Sequence, residues 1–325
     1  MTPSFWSNSG VYDITKPGDK ELMLASPNHF EPESHLKSSE FPESHPRLRC
    51  DFHCHSNHSD GILSPTALAE AMKASAVNVF ALTDHDTVSG VREAQAAARK
   101  HDIRCLGGIE LTIQWDNGTF HLLGLGLKNL EALEEPLAEI QERRQERNRD
   151  ILKKLRKQGI DIDSDKVLQH CGKKDGDILN RSHIAAYLAD FDHCKSYREA
   201  FQRYLGIGAP AYVAIEGPSP EEGIEWIHSA GGYALIAHPY SLRLNRQRLR
   251  YYIDMWSKMG LDGLELSHPN TATKDSKHMM KLVQLYDMQY CGGSDYHRGK
   301  TEKVLGLGTA GRPIDLPANL PFLQN

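Results

Sequence analysis

Nine side chains of the types that bind divalent metals recur between residues 53 and 297 of this chain: His53, His55, Asp60, His85, Glu110, His121, His238, Asp295 and His297. They lie in the stretches DFHCHSNHSDG, ALTDHDT, GGIEL, FHLLGLG, LIAHPY and GGSDYH. Imidazole and carboxylate donors without thiolate suit manganese, zinc or iron. Nine such groups can hold more than one ion, and ions held this way activate water for hydrolysis near neutral pH. His53 and His55 are two apart at the end of a strand-like run, so both rings point to one side and can share an ion. Asp60 follows in a Ser-Asp-Gly turn. No Ser or Cys nucleophile with an adjacent base is evident, which leaves attack by metal-bound hydroxide as the expected chemistry.

The surrounding pattern tells what must position these groups. RCDFHCH reads as a short strand, SPTALAEAMKASA as a helix capped by Ser64 with Pro65 in its first turn, and VNVFALTDHD as a buried strand. VREAQAAARKHD is helical, and IRCLGGIEL and GTFHLLGLGL are further strands. Such strand–helix alternation predicts a largely parallel α/β sheet with helical crossovers, whose functional groups gather at the strand C-termini. The rhythm breaks over 129–215, where long charged segments predict a small helical insertion. It resumes over 216–325, so the α/β domain is expected in two parts, 50–128 and 216–325. Residues 1–49 are rich in Ser, Pro, Glu and His, lack periodicity, and predict a flexible N-terminal extension.

Composition narrows the function classes. A net charge of −5 gives no overall basic surface to attract nucleic acid. Six cysteines without a C-x-x-C pair suggest scattered thiols of a reducing compartment. No apolar run spans a bilayer and no signal-peptide pattern opens the chain, so the cytoplasm is the expected location, with no membrane role and no evident protein partner.

The ligand stretches, taken together, resemble the PHP (polymerase and histidinol phosphatase) family of metal-dependent phosphoesterases over about 50–310. ERRQERN, LNRSHIAAYL and YLGIGAPAYV further resemble a bacterial branch of 5′-3′ exoribonucleases and nucleoside 3′,5′-bisphosphate phosphatases. The resemblance implies a distorted (β/α)7 barrel interrupted by the helical insertion. It also implies three metal positions, with manganese first and zinc or iron as alternatives. His53, His55, Glu110 and Asp295 are implied for the first position, and Asp60, His85 and His297 for the second. His121 and His238 are implied for the third, with Glu110 bridging.

The implied substrate is a nucleoside bisphosphate or an RNA 5′ end, cut at the 3′ phosphate of a 5′-phosphorylated nucleoside. Arg181 and His183 of NRSH are the expected substrate contacts. Arg143 and Arg147 share a helical face and read either as a solvated basic surface or as a phosphate clamp. His268 reads as a phosphate contact or a structural residue. His58 reads mainly as a bystander, and Asp84 and Asp86 as groups orienting His85 or its turn. GIGAPAY has Ala209 and Pro210 where a basic residue is expected of close relatives, which predicts a weaker contact to a second phosphate. The rival readings are a small-metabolite phosphatase, such as a histidinol phosphatase, and a metal-holding regulatory domain without turnover.

Overall fold

The computed structural model describes residues 46–173, 179–214, 217–297 and 304–324. The predicted extension lies outside these, except for its last few residues: strand β1 starts at Arg47 and runs to Cys54. Seven more strands follow among the described residues: β2 (Val79–Leu82), β3 (Arg104–Trp115), β4 (Gly118–Leu125), β5 (Tyr233–Ile236), β6 (Gly263–Ser267), β7 (Gln289–Gly292) and β8 (Asp315–Pro317). They form one sheet in the order β7-β6-β5-β4-β3-β2-β1-β8.

The pairs β1–β2, β2–β3, β5–β6 and β6–β7 are parallel, as alternation predicts. The segment β3–β4–β5 departs from it. β3 and β4 form an antiparallel hairpin closed by Asp116 and Asn117, with Gly118 at a positive φ of 115° that side-chain-bearing residues rarely adopt. A two-residue loop leaves no room for a crossover helix, so β4 runs backwards and β5 pairs antiparallel with it. The hairpin brings the early part of β4 to the end of the barrel where the parallel strands terminate.

The sheet curls into a barrel because the segment after β7 returns to β1. Asp295 N–H donates to the His53 carbonyl (2.7 Å) and His55 N–H to the Tyr296 carbonyl (3.0 Å). A side chain at Gly293 would overlap the backbone of His53, so the second glycine of GGSD permits this approach. Phe52, Leu106, Leu123, Leu235 and Phe322 belong to one core cluster between strands.

Helices cover the barrel. α1 (Pro65–Ala74) starts at Ser64, whose hydroxyl accepts from Ala67 N–H, and α2 is Val91–Lys100. α3 (Glu134–Arg156) has a double role. Leu133, Leu137 and Ile140, at and before its first turns, join the barrel's apolar cluster. Its later Ile151, Leu152 and Leu155 join a separate cluster with α4 (Ser164–His170), α5 (Arg181–Asp190), α6 (Tyr197–Ala200) and the π-turn Phe201–Leu205. Residues between Ile151 and Ala211 thus share an apolar cluster of their own, joined to that of the barrel through one continuous helix. α7 (Pro220–Ser229), α8 (Arg246–Lys258) and α9 (Thr273–Leu285) complete the second part. No helix among the described residues is long and apolar enough to cross a membrane.

Candidate metal centre and anion pocket

Each ligand candidate reaches one end of the barrel by a local device. His53 lies near the end of β1 and His55 one residue beyond it, both fully buried. The Asp84 carboxylate accepts from Ser56 N–H (2.8 Å), Ser56 hydroxyl (2.6 Å) and Ser59 hydroxyl, and so folds the turn that delivers Asp60. His85 follows β2 and forms an isolated parallel bridge with Glu110 of β3. His121 stands opposite Thr112 on the reversed β4, and this is why it joins groups that sit at the ends of parallel strands. His238 and Asp295 follow β5 and β7 in left-handed conformations, with φ of 30° and 50°. Non-glycine residues persist there only where surrounding contacts impose them. For His238 such a contact is its N–H bond to Glu265 Oε2 (2.5 Å).

All nine candidates converge. Donor atoms of His53, His55, Glu110 and Asp295 lie within 4.8 Å of one another; so do those of His55, Asp60, His85 and His297, and those of His85, Glu110 and His121. His238 joins the third group, with Nε2 3.0 Å from Glu110 Oε1 and 3.4 Å from His121 Nδ1. Glu110 is central. Its two oxygens approach His53 at 3.1 Å, His55 at 3.2 Å, His85 at 3.1 Å and His121 at 2.7 Å.

The donors fit a cation better than they fit each other. His53 Nε2, both ring nitrogens of His55, His85 Nδ1 and Glu110 Oε2 are buried without a hydrogen-bond partner. Nitrogens and a carboxylate oxygen facing one another without hydrogen bonds are costly in a dry interior unless positive charge lies between them. The ionisation tendencies reflect how closely carboxylates and imidazoles are packed. Burial opposes the charged rings, yet Glu110, Glu265 and Asp295 hold His53 well above its usual value, and Asp295 and Glu110 push His55 up to about 10, so both positions attract positive charge. Burial works against ionised Glu110, yet His85, His53 and His121 outweigh it and hold its pKa well below the carboxylate range. Burial likewise opposes Asp60, and His297 and His85 hold it well below. Burial, the largest influence on His85, pushes that imidazole well below its usual value and favours the neutral ligand form.

A second layer fixes ring orientation. His53 Nδ1 lies 3.1 Å from Glu265 Oε1, His297 Nδ1 lies 2.9 Å from the Asp295 carbonyl, and His238 Nδ1 lies 2.9 Å from Ser241 Oγ. Each bond leaves Nε2 facing the cluster, the usual support of a metal-ligating histidine. His268 belongs to this layer. It is fully buried, its Nδ1 accepts from Asn270 N–H, and its Nε2–H therefore points at Asp295 Oδ2, 3.2 Å away. In this geometry its ring is engaged with Asp295, as the structural one of its two readings requires. His58 faces Ser89 Oγ at 2.7 Å and Glu93, outside all three groups.

Beside the cluster lies a cavity of about 200 Å³ that Asp60, His85 and His121 share with Arg144, Arg147 and Arg181. Arg144 bonds Asp86, Thr112 Oγ1 (2.6 Å) and Asn180 Oδ1 (3.0 Å). Arg147 bonds Asn148 Oδ1 (3.0 Å) and meets no carboxylate among the described residues. Arg181 lies 5.9 Å from the Phe201 ring centre and 6.0 Å from that of Tyr212. Burial, then the like charges of Arg144 and Arg181, push Arg147 down to about 8, and burial with Arg181 pushes Arg144 to about 10. Crowded buried guanidiniums of this kind call for an anion.

Arg143, paired with Arg147 in the sequence reading, is turned outward to Glu139 (3.3 Å). Arg144 takes its place at the cavity. The signal was the phase of the helix: Leu137, Ile140, Arg144, Arg147, Asn148 and Ile151 form one buried stripe, and Arg143 is off it. His183 does not join Arg181. Its Nδ1 accepts from Asn180 N–H, capping α5, and its ring lines a different cavity of about 430 Å³.

Comparison with known proteins agrees with this geometry. A family model described as "PHP domain" matches residues 51–295. The chain is 37% identical over 251 residues to a protein of Haemophilus influenzae named 5′-3′ exoribonuclease, an alignment covering 76% of this chain and 89% of that one. It is 33% identical over 272 residues to a 3′,5′-nucleoside bisphosphate phosphatase of Chromobacterium violaceum, covering 83% and 92%. A solved structure from Chromobacterium violaceum, described as an amidohydrolase with bound sulfate and no metal, superposes with a TM-score of 0.75 at 33% identity over 84% of this chain and 93% of that one.

Proposed function

This chain belongs to the PHP family, and we propose that it is a metal-dependent phosphoesterase acting at the 3′ phosphate of 5′-phosphorylated nucleosides. The substrates are nucleoside 3′,5′-bisphosphates and the 5′ ends of short RNA. The observation that carries this reading is the trio Arg144, Arg147 and Arg181 beside the candidate metal groups. One phosphate at the metal groups and another at the guanidiniums describe a substrate with two phosphates, which a single-phosphate metabolite such as histidinol phosphate lacks.

The residues fit three ions. His53, His55, Glu110 and Asp295 would hold the first; Asp60, His85 and His297 the second, with His55 adjacent; His121, His238 and Glu110 the third. Manganese is the first choice from the family reading and from a donor set free of thiolate. Bound ions supply an activated water and positive charge for the phosphoryl group. Arg147, which meets no carboxylate among the described residues, supplies charge-assisted hydrogen bonds to the 5′ phosphate, and Arg181 a second guanidinium. Arg144, tied to Asp86, holds α3 against β3 and adds positive potential.

The test is phosphate and nucleotide release with manganese from adenosine 3′,5′-bisphosphate, a 5′-phosphorylated RNA oligomer and histidinol phosphate. Formation of AMP or 5′ mononucleotides from the first two supports the reading. Turnover of histidinol phosphate alone overturns it.

A further inference from the structure

The second cavity bears on how one site could serve both substrates. In the proposed reaction a water oxygen bonds to phosphorus, the bond from phosphorus to the first nucleoside's 3′ oxygen breaks, and that oxygen takes up a proton. With a nucleoside bisphosphate, inorganic phosphate leaves. With RNA, the same phosphorus also carries the second nucleotide through its 5′ oxygen. RNA cleavage therefore needs space beside the scissile phosphorus that bisphosphate hydrolysis does not use.

The structure has such a space. The cavity of about 430 Å³ is lined by Asn57, Asp60, Ile62, His170, Lys173 and His183, among others. Its volume falls in the range of roughly 300–1,000 Å³ usual for small-molecule sites. It meets the candidate metal groups at Asp60, which also lines the arginine cavity, and none of the three arginines lines it. The start of α5 separates the two: Arg181 and Ser182 face one cavity, His183 the other. Lys173 Nζ donates to the Asn57 carbonyl (2.9 Å), bringing an ammonium to the wall. Ile62, 53% exposed, offers an apolar surface at the same wall. A cation for a backbone phosphate and a ring on which a base can stack are the elements of sequence-tolerant binding to single-stranded nucleic acid, and the lining supplies Lys173 with His170 and His183.

We propose that this cavity receives the second nucleotide of an RNA substrate, and so supports exoribonucleolytic cleavage while standing idle in bisphosphate hydrolysis. The inference rests on the functional reading above and assigns a place to the part of the substrate that reading leaves unplaced.

The full chain with manganese is assayed on adenosine 3′,5′-bisphosphate and on a 5′-phosphorylated RNA trinucleotide beginning with adenosine. Wild type is compared with Lys173→Glu, which reverses the wall charge, and His170→Ala, which removes a ring from the wall. Each variant should lower kcat/KM on the trinucleotide by about tenfold or more and leave the bisphosphate within about twofold. Turnover of the bisphosphate also reports that the variants are folded. Equal losses on both substrates, no loss on either, or a wild type that hydrolyses the bisphosphate but not the trinucleotide overturns the inference. Failure of the wild type on both substrates overturns the functional reading itself.

Discussion

His53 Nδ1 lies 3.1 Å from Glu265 Oε1, and this bond turns the opposite nitrogen toward Glu110 and Asp295, at 3.1 and 3.5 Å. The same Glu265 accepts from His238 N–H through its other oxygen, so one buried carboxylate positions residues of two candidate metal groups. Glu265→Ala should lower metal affinity by about 10- to 100-fold, the usual cost of losing such a partner. Glu265→Gln, which retains an acceptor oxygen, should recover part of it. Metal titration followed by calorimetry distinguishes this from simple unfolding, because an unfolded protein shows no graded difference between the two variants.

Metal removal gives a second expectation. Exhaustive chelation should abolish phosphoesterase activity and lower the melting temperature, because the buried His53, His55, His85 and Glu110 atoms that find no hydrogen-bond partner would lose the proposed cations. Manganese should restore both. A chelated protein of unchanged melting temperature and full activity would show that the cluster is a packed polar core without bound ions.

Arg147 and Arg143 provide a matched pair on one helix. Arg147→Ala should reduce kcat/KM on adenosine 3′,5′-bisphosphate by about 10- to 100-fold, the range for a lost hydrogen bond to a charged group at about 1.5–3 kcal/mol. Arg143→Ala, on a side chain turned to Glu139, should change it by less than about twofold. Comparable losses in the two variants would place the phosphate elsewhere on α3.

Gly293→Ala tests barrel closure. Its new methyl would meet the backbone of His53, which belongs to the sheet and cannot rotate away. A destabilisation of about 1–3 kcal/mol is expected from overpacking, with weaker metal binding because His53 and Asp295 flank the contact. Equilibrium denaturation measures the first and metal titration the second.

The ligand types and their attachment to strand ends were legible in the sequence, because metal chemistry demands particular donors and strands show as apolar runs. The insertion was legible as a break in that rhythm. The reversed direction of β4 was signalled by its short Asp116–Asn117 link to β3, but how that brings His121 beside Glu110 depends on pairing across the barrel. ERRQERN announced arginines without stating which face the pocket. Arg144 and not Arg143 does so, because the apolar residues on either side of the pair fix how α3 rotates against barrel and insertion. His268 was readable as a polar residue at a strand end, while its bond to Asp295 joins β6 to the segment after β7. The amino-acid sequence by itself thus determined which imidazoles and carboxylates stand at strand ends, the apolar runs that become strands, and the change of rhythm over 129–215. Side-chain partners between distant segments, and the division of the space around Asp60 into two cavities, were decided by tertiary packing, since contacts across a closed barrel leave no periodic trace along the chain.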